Sequence, residues 1–223
     1  MDFFTSQPTT NSTKPQPTQQ SPNTTTTTSV ATRRPRIIIA LTGATGSILG
    51  IQTILTLRRL NIEVHLILSK WAEATLKYET DYTVSNVRAL ADHVYSNSDM
   101  AAPIASGSFR VDLGMLIIPC SVKTLASIAN GICDDLISRA ADVVLKERRR
   151  LVLAVRETPL SSIHLGNMVT VTQAGAVVFP PVPAFYIRPS SVGDLVDHTV
   201  GRVLDLFGLD TAEFERWEGW KKE

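Results

Sequence analysis

Ile37-Ile38-Ile39-Ala40-Leu41-Thr42-Gly43-Ala44-Thr45-Gly46-Ser47-Ile48-Leu49-Gly50 is the stretch on which the reading of the chain turns. An unbroken apolar run gives way to three glycines separated by hydroxyl and small residues. The pattern then resumes at helical spacing through Ile51, Ile54, Leu55 and Leu57. This is a buried strand, a tight glycine turn and the opening of a helix. The first N–H groups of a helix have no intrahelical partner and lie at the positive end of its dipole, so an anion above the turn is the first expectation. The glycines are spaced three and then four apart, which matches neither the dinucleotide fingerprint nor the phosphate loop that ends in Gly-Lys-Ser/Thr. Two readings are therefore open here: a phosphate site, or glycines that only permit close strand-to-helix packing. The next apolar strand, residues 64–68, ends in Ser69-Lys70 rather than in the acid that would hold a dinucleotide ribose, which favours a mononucleotide over NAD.

Working outward, residues 1–36 hold eleven threonines, several prolines and glutamines, and almost no large apolar residue after Phe3 and Phe4. Such a segment cannot bury enough surface to offset its ordering entropy, so residues 1–35 are expected to be disordered. Their wealth of hydroxyls and lack of acids is the composition of a mitochondrial transit peptide, with a cytoplasmic extension as the alternative. Lys14, Arg33, Arg34 and Arg36 face Asp2 alone there, a net of +3, and the formal total is +1, so the remainder has a net charge of −2 and implies no nucleic-acid surface. No apolar run approaches the roughly 18 residues of a membrane span. Asn11 and Asn23 sit in glycosylation sequons, but no secretory apolar region accompanies them. Cys120 and Cys133 have neither redox nor disulfide spacing and read as ordinary buried thiols. His65, His93, His164 and His198 form no pair at metal-ligand spacing, and no Gly-x-Ser-x-Gly elbow is present, so metal-dependent hydrolysis and serine hydrolysis both lose ground.

The remaining elements follow from the pattern. A helix is expected over residues 71–78 behind a Ser69 cap, a weak strand near residues 93–95, and a long loop of small and hydroxyl residues from 97 to 108. Residues 114–119 form a second continuous apolar run, followed by Cys120-Ser121-Val122-Lys123-Thr124 and a helix through Leu125 and Ile128. This repeats the opening arrangement of strand, hydroxyl-rich turn and helix, and two such turns at neighbouring strand ends strengthen the ligand reading. A helix over 134–150 with a solvated basic end at Arg148-Arg149-Arg150 comes next. A strand over 151–155 ends in Arg156-Glu157-Thr158-Pro159, which leaves two charges where ligands lie in such folds. A helix over 161–173, a strand over 176–179, a rigid proline-rich connection with Phe185-Tyr186, and a helix from a Ser190/Ser191 cap to a stop at Gly208 complete the chain. Alternating strands and helices give one Rossmann-like α/β domain over residues 36–208, with a mostly parallel, doubly wound sheet and a tail over 209–223.

Thr42-Gly43-Ala44-Thr45-Gly46, Ser69-Lys70, Ala105-Ser106-Gly107-Ser108, Pro119-Cys120-Ser121-Val122-Lys123-Thr124-Leu125, Arg139-Ala140-Ala141-Asp142-Val143, Lys146-Glu147-Arg148-Arg149, Arg156-Glu157-Thr158-Pro159 with Ser161-Ser162-Ile163-His164, and Phe185-Tyr186 occur in order across nearly the whole folded body. Together they resemble the UbiX-type flavin prenyltransferases, including the fungal phenylacrylic acid decarboxylase members. The resemblance implies a flavoprotein that joins a dimethylallyl group from dimethylallyl phosphate to reduced FMN, without a metal, for a UbiD-type decarboxylase of aromatic or cinnamic acids. It places FMN against Gly43, Ala44, Thr45, Ser69, Ser121, Val122, Lys123, Thr124 and Arg156. It places the prenyl phosphate against Lys146, Tyr186 and Arg202, with Arg139 from a neighbouring subunit and Ser106 and Gly107 alongside. Glu157, Tyr186 and Lys146 take the catalytic roles, Glu157 in proton transfer, and a homo-dodecamer is implied.

Two departures stand out. Thr45 occupies a position where bacterial members often have serine, and Met100 a position where some members have tryptophan. Two competing readings remain: a flavin-dependent cysteine decarboxylase of the related homo-oligomeric family, and a flavin-binding regulatory subunit without turnover. The first uses a catalytic histidine and an Asn-containing turn where this chain has Ser121-Val122-Lys123-Thr124.

Overall fold

The computed structural model describes residues 33–212, 214, 216, 217 and 219. Most of the Thr-rich leading segment lies outside the described residues. Six strands form one sheet: β1 (Arg36–Leu41), β2 (Glu63–Leu68), β3 (His93–Ser96), β4 (Gly114–Cys120), β5 (Leu151–Val155) and β6 (Val177–Val178). Their order is β3-β2-β1-β4-β5-β6 and every pairing is parallel. Parallel sheets are covered on both faces, which explains why β1, β4 and β5 are nearly continuous apolar runs rather than alternating ones. The expected doubly wound α/β domain is what the chain forms, with no antiparallel member among the described strands.

The two faces have separate cores. On one, Ile37, Ile39, Leu41, Leu116 and Ile118 of the sheet pack against α1 (Ser47–Arg59), α2 (Lys70–Glu79), α3 (Val84–Arg88) and α7 (Val192–Asp205) through Ile54, Leu57, Leu76, Val87, Val203 and Leu204. On the other, Ile38, Ala40, Met115, Ile117 and Leu153 pack against α4 (Val122–Ala129), α5 (Leu136–Lys146) and α6 (Ser162–Gln173) through Leu125, Ala140, Val144 and Val171. Strand order reverses between β1 and β4, so the helices after them leave on opposite faces and a crevice opens at the carboxyl ends of both strands. Gly50 lets α1 approach closely, since a Cβ there would lie 2.7 Å from the Ile118 carbonyl oxygen.

Several boundaries differ from the sequence pattern for identifiable reasons. The short helix α3 is stabilised by a capping box in which Thr83 and Asn86 exchange hydrogen bonds, with Asn in the place where Glu or Gln is usual. The helix expected over 134–150 ends at Lys146, because Arg148 turns left-handed at φ 55°. Its basic end is not simply solvated: the Arg149 guanidinium donates to the carbonyl oxygens of Phe109 (2.9 Å) and Gly107 (2.8 Å), strapping that loop to the body. The last helix stops at Asp205, and Gly208 follows in the turn with φ 72°. Cys133 is only part-buried, unlike Cys120, and both thiols are free. Arg33 and Arg34 pair with Asp112 and Asp92, each at 2.7 Å.

Candidate functional site

At the strand reversal lies a cavity of about 610 Å³, within the size range of small-molecule sites. Its wall contains Gly43, Ala44 and Thr45 from the first turn, Ser69 at the end of β2, Ser121, Val122, Lys123 and Thr124 from the second turn, and Arg156 and Glu157 at the end of β5. These are all nine residues marked for the flavin by the sequence reading, with Glu157 beside them. Thr42 holds the two turns together. Its buried hydroxyl donates to the Pro119 carbonyl oxygen (2.9 Å) and accepts from the Ser121 N–H (2.7 Å). Ser69 caps α2, accepting from Ala72 N–H at 3.0 Å, and Ser121 caps α4, accepting from Thr124 N–H at 3.4 Å. Val122 and Lys123 are the first residues of α4, so their N–H groups have no intrahelical acceptor and open toward the cavity.

The first turn is different, and the expectation that the start of α1 receives a phosphate is corrected. One carboxylate oxygen of Glu79, at the end of α2, accepts from the N–H groups of both Gly46 and Ser47 at 2.9 Å. The Thr45 hydroxyl bonds the same carboxylate. Burial alone would raise the Glu79 carboxyl, but these hydrogen bonds outweigh it and hold the group below its ordinary value. The helix dipole at α1 is thus answered from within the chain, and the openings of α2 and α4 are the ones left for an anion. Glu79 gives no local signal of this role, because it sits in Glu79-Thr80-Asp81, which marks only the end of a helical pattern. Trp71 gives none either. It lines the cavity, and Gly43 is required beneath it because a Cβ there would overlap the Trp71 side chain.

The residues assigned to the prenyl phosphate form two groups on opposite faces of the sheet. On the α5 side, Lys146 pairs with Glu147 and its ammonium approaches Gly107, while Arg139 pairs with Asp142 (2.8 Å) and donates to the Ala105 carbonyl oxygen (3.2 Å). Ser106 bonds Ser108 at 2.9 Å in the same loop. On the α7 side, the Tyr186 hydroxyl lies 2.7 Å from His198 Nε2, and Arg202 pairs with Asp205 (2.9 Å). The tail folds back over this second group: Trp217 meets the Tyr186 ring edge-on at 5.9 Å and Arg216 pairs with Asp205 and Asp210. Tyr186, Arg202 and Lys146 do not line the cavity, so one chain does not gather the set expected to act together.

Comparison with known proteins fixes what this arrangement belongs to. A family model described as Flavoprotein matches residues 25–204. The flavin prenyltransferase PAD1, mitochondrial, of Saccharomyces cerevisiae is 54% identical over 191 residues, covering 86% of this chain and 78% of the yeast protein. The chain belongs to the flavin prenyltransferases. A crystal structure of AnUbiX (PadA1) in complex with FMN and dimethylallyl pyrophosphate is 69% identical with a TM-score of 0.84, covering 85% of this chain and all of that one. A dodecameric FMN-dependent UbiX-like decarboxylase from Escherichia coli O157:H7 is 52% identical with a TM-score of 0.81, covering 82% and 100%. Membership bears out the family resemblance and the enzyme reading, and it does not favour the cysteine decarboxylase or the regulatory subunit.

A second cluster lies at the opposite, amino end of the sheet in this flavin prenyltransferase. Pairing of β2 with β3 sets His65 against His93, rings stacked at 4.6 Å, with each Nε2 near Oε1 of Glu63 (3.2 and 3.3 Å). Chain spacing gave no sign of this trio, because strand register brings it together. Arg36 donates to the same oxygen at 2.9 Å and Tyr95 bonds His65 Nδ1 at 2.9 Å, so the carboxylate's charge is already matched and the network is closed. Burial, and then the neighbouring His93, push the His65 pKa down from 6.5 to about 4.

Proposed function

We propose that this chain joins the dimethylallyl group of dimethylallyl phosphate to N5 and C6 of reduced FMN, making the prenylated flavin used by a UbiD-type decarboxylase. The observation that carries the reading is the single cavity shared by all nine expected flavin residues and Glu157. FMN fits on this chain's own geometry. Gly43 lets Trp71 pack directly on the first turn at the cavity wall, and the N–H groups at the starts of α2 and α4, capped by Ser69 and Ser121, suit its phosphate. Glu79 repels an anion from the first turn and holds the Thr45 hydroxyl on its own carboxylate.

The flavin supplies the nucleophilic nitrogen and carbon. The chain supplies the rest. Breaking the allyl C–O bond sends the electron pair to phosphate, and Lys146, Arg139, Arg202 and the Tyr186 phenol stabilise that developing charge. Glu157 takes the proton displaced as the ring carbon forms its new bond, with the released phosphate able to share that role. The protein's cations then do the work a metal does in other allyl transfers.

The split of the phosphate residues between two sheet faces supports a site completed between subunits, with Arg139 and Lys146 meeting the α7 group of another chain. The exposed apolar surface supports the same conclusion. Ile163, Val182 and Phe185 are 72%, 72% and 70% exposed, and α6 buries only Val171, which suits a face covered by further copies in a homo-dodecamer. The hydroxyl-rich, acid-poor residues 1–35 support delivery to the mitochondrion, as the name of the yeast relative does for that protein. No helix among the described residues is long and apolar enough to cross a membrane. Anaerobic incubation of the full chain with reduced FMN and dimethylallyl phosphate should yield a flavin heavier by one C5 unit in the mass spectrum. An unchanged flavin mass from folded, FMN-binding protein rejects the reading.

A further inference from the structure

His198 has no part in the assignment above, yet its Nε2 lies 2.7 Å from the Tyr186 hydroxyl. It is 5% exposed, whereas Tyr186 is 49% exposed. The two rings meet edge-on at 5.4 Å, and Phe214 closes the far side of the imidazole edge-on at 5.2 Å. The imidazole is thus boxed between the phenol, the returning tail and its own helix, and its orientation is fixed by packing.

The chemistry of the contact depends on one proton. Arg202 sits one turn further along α7, and Phe214, Asp205 and Arg216 complete the surroundings. Burial, and then the Arg202 charge, hold His198 below its ordinary value, with Asp205 opposing. A neutral imidazole has one N–H and a phenol has one O–H. If Nδ1 carries the ring proton, Tyr186 must donate inward to Nε2, and only its lone pairs face outward. Lone pairs repel a phosphate oxygen. If Nε2 carries the proton, it donates to the phenol oxygen and the phenolic hydrogen is free to point outward. A donor whose oxygen itself accepts a hydrogen bond is also the stronger donor.

We infer that His198 is a positioning residue for prenyl transfer: as its Nε2–H tautomer it holds the Tyr186 ring and directs the phenolic hydrogen outward to the prenyl phosphate. The inference rests on the reading that Tyr186 and Arg202 meet that phosphate. It adds a residue that touches neither substrate and acts only through Tyr186. It also gives the tail a task, because Phe214 and Trp217 pack against the two members of the pair.

The test is a double-mutant cycle on the full oligomer, read by initial rates of prenylated FMN formation at varied dimethylallyl phosphate. His198→Phe keeps a flat ring and removes the donor, and should lower kcat/KM about tenfold, about 1.4 kcal/mol, mostly through KM. His198→Gln retains an N–H donor and should recover to within about threefold of the unsubstituted protein. In a Tyr186→Phe background, His198→Phe should change the rate by less than about twofold, because its route of action is gone. FMN affinity should be unaltered throughout. If His198→Phe does not bind FMN, His198→Met removes the donor with an adaptable side chain and gives the same comparison. Equal losses from the His198 substitution with and without the phenol overturn the inference, as does a Gln variant no better than Phe. A Tyr186→Phe variant with unaltered kinetics instead rejects the placement of Tyr186 at the phosphate.

Discussion

Glu157 lines the cavity and Glu79 braces the first turn beside it, and their surroundings give them different tasks. Glu79 is held ionised by Gly46, Ser47 and Thr45, so it serves as a fixed anchor for the first turn. Replacing it with alanine leaves two helix N–H groups without their acceptor and releases the Thr45 hydroxyl. Glu79→Ala should therefore cost about 1–3 kcal/mol of stability in urea unfolding and weaken FMN binding, and an unchanged midpoint and affinity would refute the anchor. Glu157 lines the cavity and accepts from the Thr158 N–H at 3.0 Å, which places its carboxylate beside the proposed flavin site. Glu157→Gln should bind FMN normally but accumulate a flavin that carries the prenyl mass without the absorption of finished product. Normal product formation by that variant would remove the proton-transfer role. A third titrating residue, His65, acts on stability rather than chemistry. Its folded-state pKa of about 4 lies below the ordinary 6.5, so between those values the unfolded chain holds a proton that the native chain does not. Stability is full above about pH 6.5 and declines as pH falls toward 4, by up to about 3 kcal/mol. His65→Asn should lose less stability than the unsubstituted protein between pH 7 and pH 5, and equal losses would contradict the assignment.

The elements that line the cavity are two strand-turn-helix units joined at Thr42, through its hydroxyl and its backbone N–H, which donates to the Pro119 carbonyl oxygen at 3.1 Å. Thr42 bridges the ends of β1 and β4, so Thr42→Val should leave the Ser121 N–H without its acceptor and uncouple the turns. The expected cost is about 1–3 kcal/mol in denaturant unfolding with a parallel loss of FMN affinity, and a neutral substitution would show that the turns hold their positions independently. Both units were legible in the sequence because apolar runs ending in Gly, Ser and Thr are local signals. Tyr186 between prolines and the capped α7 were legible for the same reason. What escaped depends on distance in the chain: Glu79 reaches across to the first turn from 32 residues away from Ser47, and β-strand register, not spacing, unites His65 with His93. The Arg149 strap was misread because its acceptors are carbonyl oxygens of a loop about forty residues earlier, which no pattern of side chains announces. The sheet order was accessible only as a class, since alternation of strands and helices gives a parallel sheet but not which strands adjoin.

At the scale of the whole molecule, one flavin prenyltransferase chain gathers the residues proposed for the flavin in one cavity and leaves those proposed for the prenyl phosphate apart. Lys146 and Arg139 lie on the α5 side of the sheet, and Tyr186, His198 and Arg202 on the α7 side. On the proposed placement, assembly is a condition of catalysis, with each site drawing its cations from more than one copy. Mixed oligomers test this most directly. Lys146→Ala and Arg202→Ala chains, each inactive alone, are co-expressed with different tags and purified through both. If the clamp forms between copies, about a quarter of the sites in the mixture receive both intact residues, and prenylated FMN reappears at a corresponding rate in the mass spectrum. If the doubly purified oligomers bind FMN yet form no prenylated flavin, both residues must come from one chain, and the shared site is contradicted.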